Sequence, residues 1–174
     1  MTSSYRSITA IFVRLILVVF SYCSITGCYT FKSGSIPVDA NSFYVGNFKL
    51  TAPNAPPTIT QTFAEALKDK ISRESRLKYS DEEPHLEFNG TIQGYNVTAV
   101  SPLPGERTAN NRLTINVTVE YINHLDPKDT WTKSFSHFED FPSEGNLLSI
   151  QDEYITIIFN QILEDVFNQA FNNW

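Results

Sequence analysis

The chain reads as an α+β protein, a two-layer sandwich in which a mostly antiparallel sheet of about four or five strands carries two helices on one face. Three features predict this. Two well-separated segments repeat apolar residues every four positions, as amphipathic helices do. Between them, Leu113 to Tyr121 alternates apolar and polar residues without a break, the pattern of a strand with one wet face. The order strand, helix, several strands, helix then lets both helices cover the same side of the sheet.

The elements follow in order. Ser42 to Leu50 reads as a strand with Phe43, Val45 and Phe48 as its apolar members. Three prolines between Thr51 and Pro57 make an extended connection, and Thr58 with Gln61 has the form of a capping box at a helix start. Ile59, Phe63, Leu67 and Ile71 line the apolar face of that helix. A short strand near Leu77 to Tyr79 leads through the turn Asp81 to Pro84 into a long strand from His85. There Leu86, Phe88 and Ile92 keep a period of two, but the apolar set slips by one residue to Tyr95, Val97 and Ala99. A β-bulge at Gly94 keeps both sets on one face.

After the alternation of Leu113 to Tyr121, the turn Asp126 to Asp129 returns the chain as an antiparallel strand over Trp131 to Phe138. The last element is a helix of about five or six turns, opened by Ser149 and Asp152 as a second capping box. It carries two apolar stripes. Tyr154, Ile158, Ile162, Val166 and Ala170 form one, and Phe159, Phe167 and Phe171 belong to the other, with Ile155 and Leu163. Together they are wider than one sheet covers. Either the first helix packs beside the last and covers the excess, or the phenylalanines are a surface for a protein partner.

Ahead of this domain lies a different kind of segment. Arg6 gives a positive start, the apolar run Leu15 to Phe20 follows, and Ile25, Thr26, Gly27 precede Cys28. This is a secretory signal peptide, its apolar run far short of the roughly 20 residues that span a bilayer. The order apolar, small, small, Cys resembles the lipobox of bacterial lipoproteins, which implies cleavage before Cys28 and diacylglycerol on its sulfur. Cys23 follows bulky Tyr22 and fits poorly. The expected layout is residues 1–27 as signal peptide, 28–41 as tether and 42–174 as one domain. Two or three acyl chains hold a protein at a membrane stably where one is marginal. Tyr29 stands where an Asp would resemble an inner-membrane retention signal, so the expected location is the periplasmic face of the outer membrane of a Gram-negative bacterium.

The whole chain has 13 basic and 19 acidic residues. Losing Arg6 and Arg14 with residues 1–27 leaves 11 basic against 19 acidic, a net charge of −8. That balance argues against nucleic acid as a partner. With Cys23 removed and Cys28 acylated, no disulfide can form, and stability must come from packing.

Enzyme chemistry finds no foothold. GxSxG, P-loop, CxxC and HExxH are all missing from the sequence, so no catalytic residue and no cofactor are expected. His124 with Asp126, and His137 with Glu139 and Asp140, match no standard metal spacing and read as solvated or locally hydrogen-bonded side chains. The loop Ser101 to Asn111, with Pro102, Pro104 and Gly105, joins two long strands and carries charge at its tip and exit. Arg107 and Arg112 are therefore candidate contacts to a protein or a sugar phosphate, against the alternative of a mobile hairpin tip.

Cys28 with the residues to Lys32, the segments Thr60 to Lys70 (TQTFAEALKDK), Asn111 to Val119 (NRLTINVTV) and Lys133 to Pro142 (KSFSHFEDFP), and the ending Ile162 to Trp174 resemble, in that order, the LptE family of lipopolysaccharide-assembly lipoproteins. The resemblance spans essentially the whole mature chain. It implies a protein without a reaction of its own. Such a protein plugs and helps assemble the outer-membrane β-barrel LptD and assists delivery of lipopolysaccharide to the outer leaflet. Direct lipopolysaccharide binding in the family uses basic residues that cannot be transferred position by position, and the −8 balance speaks against a strong lipid A site. From the residues alone, a periplasmic carrier of lipids or lipoproteins, or a periplasmic hydrolase, stands as the alternative.

Overall fold

The computed structural model describes residues 36–101, 110–143 and 147–171. Cys28 and Arg107 lie outside these residues. The element order is β1 (Ser42–Val45), β2 (Lys49–Leu50), α1 (Ile59–Glu74), β3 (Lys78–Tyr79), β4 (Leu86–Val100), β5 (Asn110–Asn123), β6 (Trp131–Pro142) and α2 (Leu147–Phe171), with a 3-10 turn at Pro127–Asp129 between β5 and β6. The six strands form one sheet in the order β3-β1-β4-β5-β6, with β2 also paired to β4.

The α+β class and its two helices agree with the sequence, and the sheet is richer than expected. It is mixed rather than mostly antiparallel, with six strands rather than four or five. β1 runs parallel to both β3 and β4, and β2 runs parallel to β4. Parallel neighbours need a crossover, and α1 supplies it between β1 and β3. The segment read as one strand is two, because Phe48 turns its ring onto the sheet at Gly90. A Cβ on Gly90 would stand 2.5 Å from Phe48 Cε1 and 2.3 Å from the Thr118 carbonyl oxygen, so only glycine admits that approach.

The long hairpin fulfils its pattern. β4 and β5 pair antiparallel from Leu86 opposite Asn123 to Val100 opposite Asn110, with the register shifting between Ile92 and Gly94. Gln93 is the extra residue of the bulge, and Tyr95 beyond it is buried as the phase slip requires. Val97 is 42 % exposed, so the sheet outruns its core there. Leu113, Ile115, Val117, Val119 and Tyr121 are completely buried.

Both helix starts differ from the expected caps. Thr58 is the N-cap of α1 but makes no side-chain cap hydrogen bond, and Gln61 donates to Glu65 instead of reaching back. α2 begins at Leu147, before Ser149, and its 25 residues make about seven turns rather than five or six. β6 likewise runs on to Pro142 rather than stopping at Phe138.

α1 lies beside α2 and settles the two-stripe question. Phe63 of α1 stacks edge-on between Phe48 and Phe159, with 4.9 Å between ring centroids on each side. Phe159, Phe167 and Phe171 are 2 %, 9 % and 2 % exposed, while Tyr154 and Ala170 of the other stripe are only partly buried. The aromatic stripe therefore belongs to the core rather than to an open face: α1 meets it at Phe159 and Phe167, and the sheet meets it at Phe171 through Phe88.

Candidate functional site

The three candidate phenylalanines are packed inside the domain, and Arg112 is the expected contact residue that the structure places at a surface. It sits near the start of β5 with Asp140 opposite it on β6. Its Nε and Nη2 donate to the two carboxylate oxygens at 2.7 and 2.9 Å, and its guanidinium lies 3.7 Å over the Phe138 ring. The hydrogen bonds from Arg112 hold the Asp140 carboxyl below its ordinary range. Arg112 is thus engaged on two sides, by a bidentate carboxylate and by an aromatic face.

The histidines are also engaged. His124 Nε2 lies 3.0 Å from Glu87, and His137 Nε2 lies 2.6 Å from Asp165 of α2. Among the described residues no cluster of three or more metal-ligating side chains occurs. A groove between α1 and β1, with a volume of about 510 Å³, has Lys68 on its wall, but that ammonium is stacked 3.8 Å over Tyr79. No helix among the described residues is long and apolar enough to cross a membrane.

At the seam between the helices, Lys70 is 9 % exposed, and its Nζ donates to Glu164 of α2 at 2.6 Å and to Glu74 at 2.8 Å. Burial works against its charge, but the two carboxylates outweigh that and raise its pKa. The same hydrogen bond from Lys70 lowers the pKa of Glu164. This is a lock between helices, with its charges satisfied.

The sheet face turned away from the helices is a site that sequence reasoning reached only in fragments. Register assembles it row by row across β4, β5 and β6. Thr91, Thr118 and Ser134 stand side by side, with a 2.7 Å hydroxyl contact between the last two. Gly94, Asn116 and Ser136 form the next row, and Asn96, Thr114 and Phe138 the one after. On β4, β5 and β6 these three rows hold no charge, but Lys49 of β2 is registered on Thr91 and extends the first row with an exposed ammonium. The flanking rows are charged: Asn89, Glu120 and Thr132 at one end, and Thr98 with the Arg112–Asp140 pair at the other. Phe138 is 48 % exposed in the last of the three rows. The outer surfaces of the helices differ, with Asp152, Glu153 and Asp165 all exposed on α2.

The alternation Thr114, Asn116, Thr118 was visible in sequence as a wet face. The hydroxyls that continue it onto β6 were not, because Ser134 and Ser136 enter it only through pairing.

The model of the LptE family, described as lipopolysaccharide-assembly, matches residues 40–173. No curated protein sequence matches the chain. Among solved structures, lipoprotein B from Nitrosomonas europaea is similar with a TM-score of 0.49 at 13 % identity, over 79 % of this chain and 82 % of that one. The PelC dodecamer from Paraburkholderia phytofirmans has a TM-score of 0.48 at 9 % identity, over 80 % and 95 %. A minor lipoprotein from Acinetobacter baumannii has 0.45 at 12 %, over 74 % and 91 %.

Proposed function

The chain belongs to the LptE family of lipopolysaccharide assembly, and from that premise we propose that it is a non-enzymatic outer-membrane lipoprotein that plugs an LptD-type β-barrel, helps it assemble and assists passage of lipopolysaccharide to the outer leaflet. The family match over residues 40–173 carries this reading. In it, residues 1–27 are removed as a signal peptide, Cys28 takes the lipid, and residues 28–41 tether the domain of residues 42–174 to the periplasmic face of the outer membrane. A compact core with Lys70 and Arg112 both engaged suits a plug, which must present a stable surface rather than turn over a substrate.

Arg112 has a contact role here through its stacked pair with Phe138. A lipopolysaccharide phosphate would first have to displace the bidentate Asp140 carboxylate. Arg107, in the adjoining loop, is the arginine assigned to a barrel or sugar-phosphate contact.

The test is co-purification. The full precursor with a C-terminal tag, taken from detergent-solubilised outer membrane, is expected to bring down one large β-barrel protein in stoichiometric amount. Cys28→Ser is expected to abolish fatty-acid labelling and to remove the chain from that fraction. Recovery of the chain with no barrel, or labelling that survives Cys28→Ser, refutes the reading.

A further inference from the structure

The chain enters β1 through a turn that an arginine holds. α1 ends at Ser75, whose extended backbone stops the helix and whose hydroxyl donates to the Ile71 carbonyl and accepts from the Leu77 N–H. In an extended segment neighbouring side chains point opposite ways, so with Leu77 buried Arg76 points outward. Its Nη1 donates to the Ala40 carbonyl at 2.8 Å, and its Nη2 donates to the carbonyls of Pro37 and Val38 at 2.8 and 3.1 Å. The Ala40 N–H closes the same turn on the Pro37 carbonyl at 2.8 Å. Apolar packing does not hold the apex of this turn, because Val38 is 82 % exposed and Asp39 beside it is exposed too. What holds it is one guanidinium on three carbonyls, each bond charge-assisted and stronger than a neutral one.

We propose that Arg76 is the positioning residue that fixes where the lipid tether leaves the domain: it clamps residues 37–40 to the corner between α1 and β3, so that the tether ends at Ile36 rather than at Asn41. The inference rests on the lipid at Cys28 proposed above. β1 has only four residues, and just ahead of it the chain is attached by single bonds, from the Lys78 N–H to the Asn41 carbonyl and from the Asn41 N–H to His85 Nδ1. A pull from the membrane that reached Asn41 directly would open these one at a time and then fray the strand. With the clamp in place the pull meets Arg76 first, and Arg76 is seated between a closed helix end and the buried Leu77. The clamp also sets the reach. From Cys28 to Ile36 an extended chain covers at most about 30 Å, and freeing residues 37–40 would add roughly 13 Å. An arginine suits this task where a lysine does not, because its planar fork aims two nitrogens at separate carbonyls at once.

The experiment uses the full tagged precursor, processed in its native membrane. The membranes are treated with a protease of broad specificity, and the first residue of the released domain is read by mass spectrometry. The wild-type domain is expected to begin at or before Pro37. In Arg76→Gln the start is expected to move past Pro37 toward Ser42, with fatty-acid labelling and the thermal midpoint of the domain unchanged, which separates a lost clamp from a lost fold. Arg76→Lys, which keeps the charge without the fork, is expected to give a mixture of the two starts. Should Arg76→Gln fail to fold, Arg76→Lys takes its place, and a start identical to that of the wild type then counts against the clamp. The same start in the wild type and in folded Arg76→Gln, a wild-type start after Pro37, or failure of both variants to fold overturns the inference and leaves the proposed function standing. A wild-type chain that carries no fatty acid overturns the proposed lipid attachment, and the role of Arg76 at the anchor with it.

Discussion

Neighbouring residues of β5 live in opposite environments. Leu113, Ile115, Val117 and Val119 are wholly buried on the side that carries α2, while Thr114, Asn116 and Thr118 between them are partly exposed on the open side. The covered side is apolar and stacked with rings, from Phe48 through Phe63 to Phe159. The open side is mainly hydroxyls and carboxamides, with Glu120 and the Arg112–Asp140 pair toward its ends and Lys49 of β2 beside Thr91. One strand thus serves two purposes in alternate phases: the covered phase makes the fold, and the open phase is free of packing duty. Substitutions on the covered side should be read in stability, and those on the open side in binding.

The largest expected separation is between Ile115→Asp and Thr114→Asp. The first puts a carboxylate into the core with no partner, which costs several kcal/mol against a total of about 5 to 15, and the domain is expected to unfold. The second adds a charge to a wet surface and is expected to shift stability by no more than about 0.5 kcal/mol. Thermal melts followed by circular dichroism decide it, and equal loss in both would erase the distinction between the faces.

Much of this contrast was legible in the sequence, and the part that was not has a physical reason. The strict period of two in Leu113 to Tyr121 assigned the facing of β5 correctly, and the phase slip at Gly94 located the bulge, because both are local consequences of the pleat. The short strand expected near Leu77 to Tyr79 is β3, but β2 has two residues, too few to show any period, and the parallel pairing of β1 depends on the crossover through α1 rather than on side-chain pattern. Both capping boxes were misread, since the four-residue motif is common and the structure makes no side-chain cap at Thr58 and starts α2 ahead of Ser149. The charged pair at one end of the open side depends on Arg112 meeting Asp140, 28 residues later, which only strand register can establish. Arg112 could be singled out from sequence; its saturation could not.

A middle-sized effect compares two aromatic rings, one from each side. Phe159 is 2 % exposed against Phe63, and Phe159→Ala is expected to cost about 3 to 5 kcal/mol, measured as a fall in the urea midpoint with the slope unchanged. Phe138 touches the Arg112 guanidinium from the open side, and Phe138→Ala is expected to cost under about 1 kcal/mol. If Phe138→Ala were as damaging as Phe159→Ala, the ring would be part of a packed core and the open face would be misassigned.

The smallest expected effect concerns the ion pairs that serve the two sides, and it is read from the pH dependence of stability. On the helix side, Lys70 lowers the pKa of Glu164 from the ordinary value of 4.5. A carboxyl whose pKa is lower folded than unfolded stabilises the fold fully above its unfolded value, and that contribution fades as pH falls through the folded one, because the unfolded chain takes up the proton first. The wild-type domain is therefore expected to lose stability on going from neutral pH to about pH 3 partly through Glu164. Lys70→Met keeps the buried stem of the side chain and removes the ammonium, leaving only the Asn168 carboxamide to lower the pKa of Glu164. It is expected to be slightly less stable than wild type at neutral pH and to lose less on acidification, so the two urea midpoints converge. On the open side Arg112 lowers Asp140 in the same sense, and Arg112→Gln should produce a similar convergence of its own. The Glu164 side chain is itself 57 % exposed, but that of its partner Lys70 is 11 % exposed whereas that of Arg112 is 35 % exposed, so the better-buried cation makes the Lys70 effect the larger of the two. An Arg112→Gln convergence larger than that of Lys70→Met would mean that the open-face pair contributes more to the fold than the seam between the helices, and would require the open face to be counted as structural rather than free for contact.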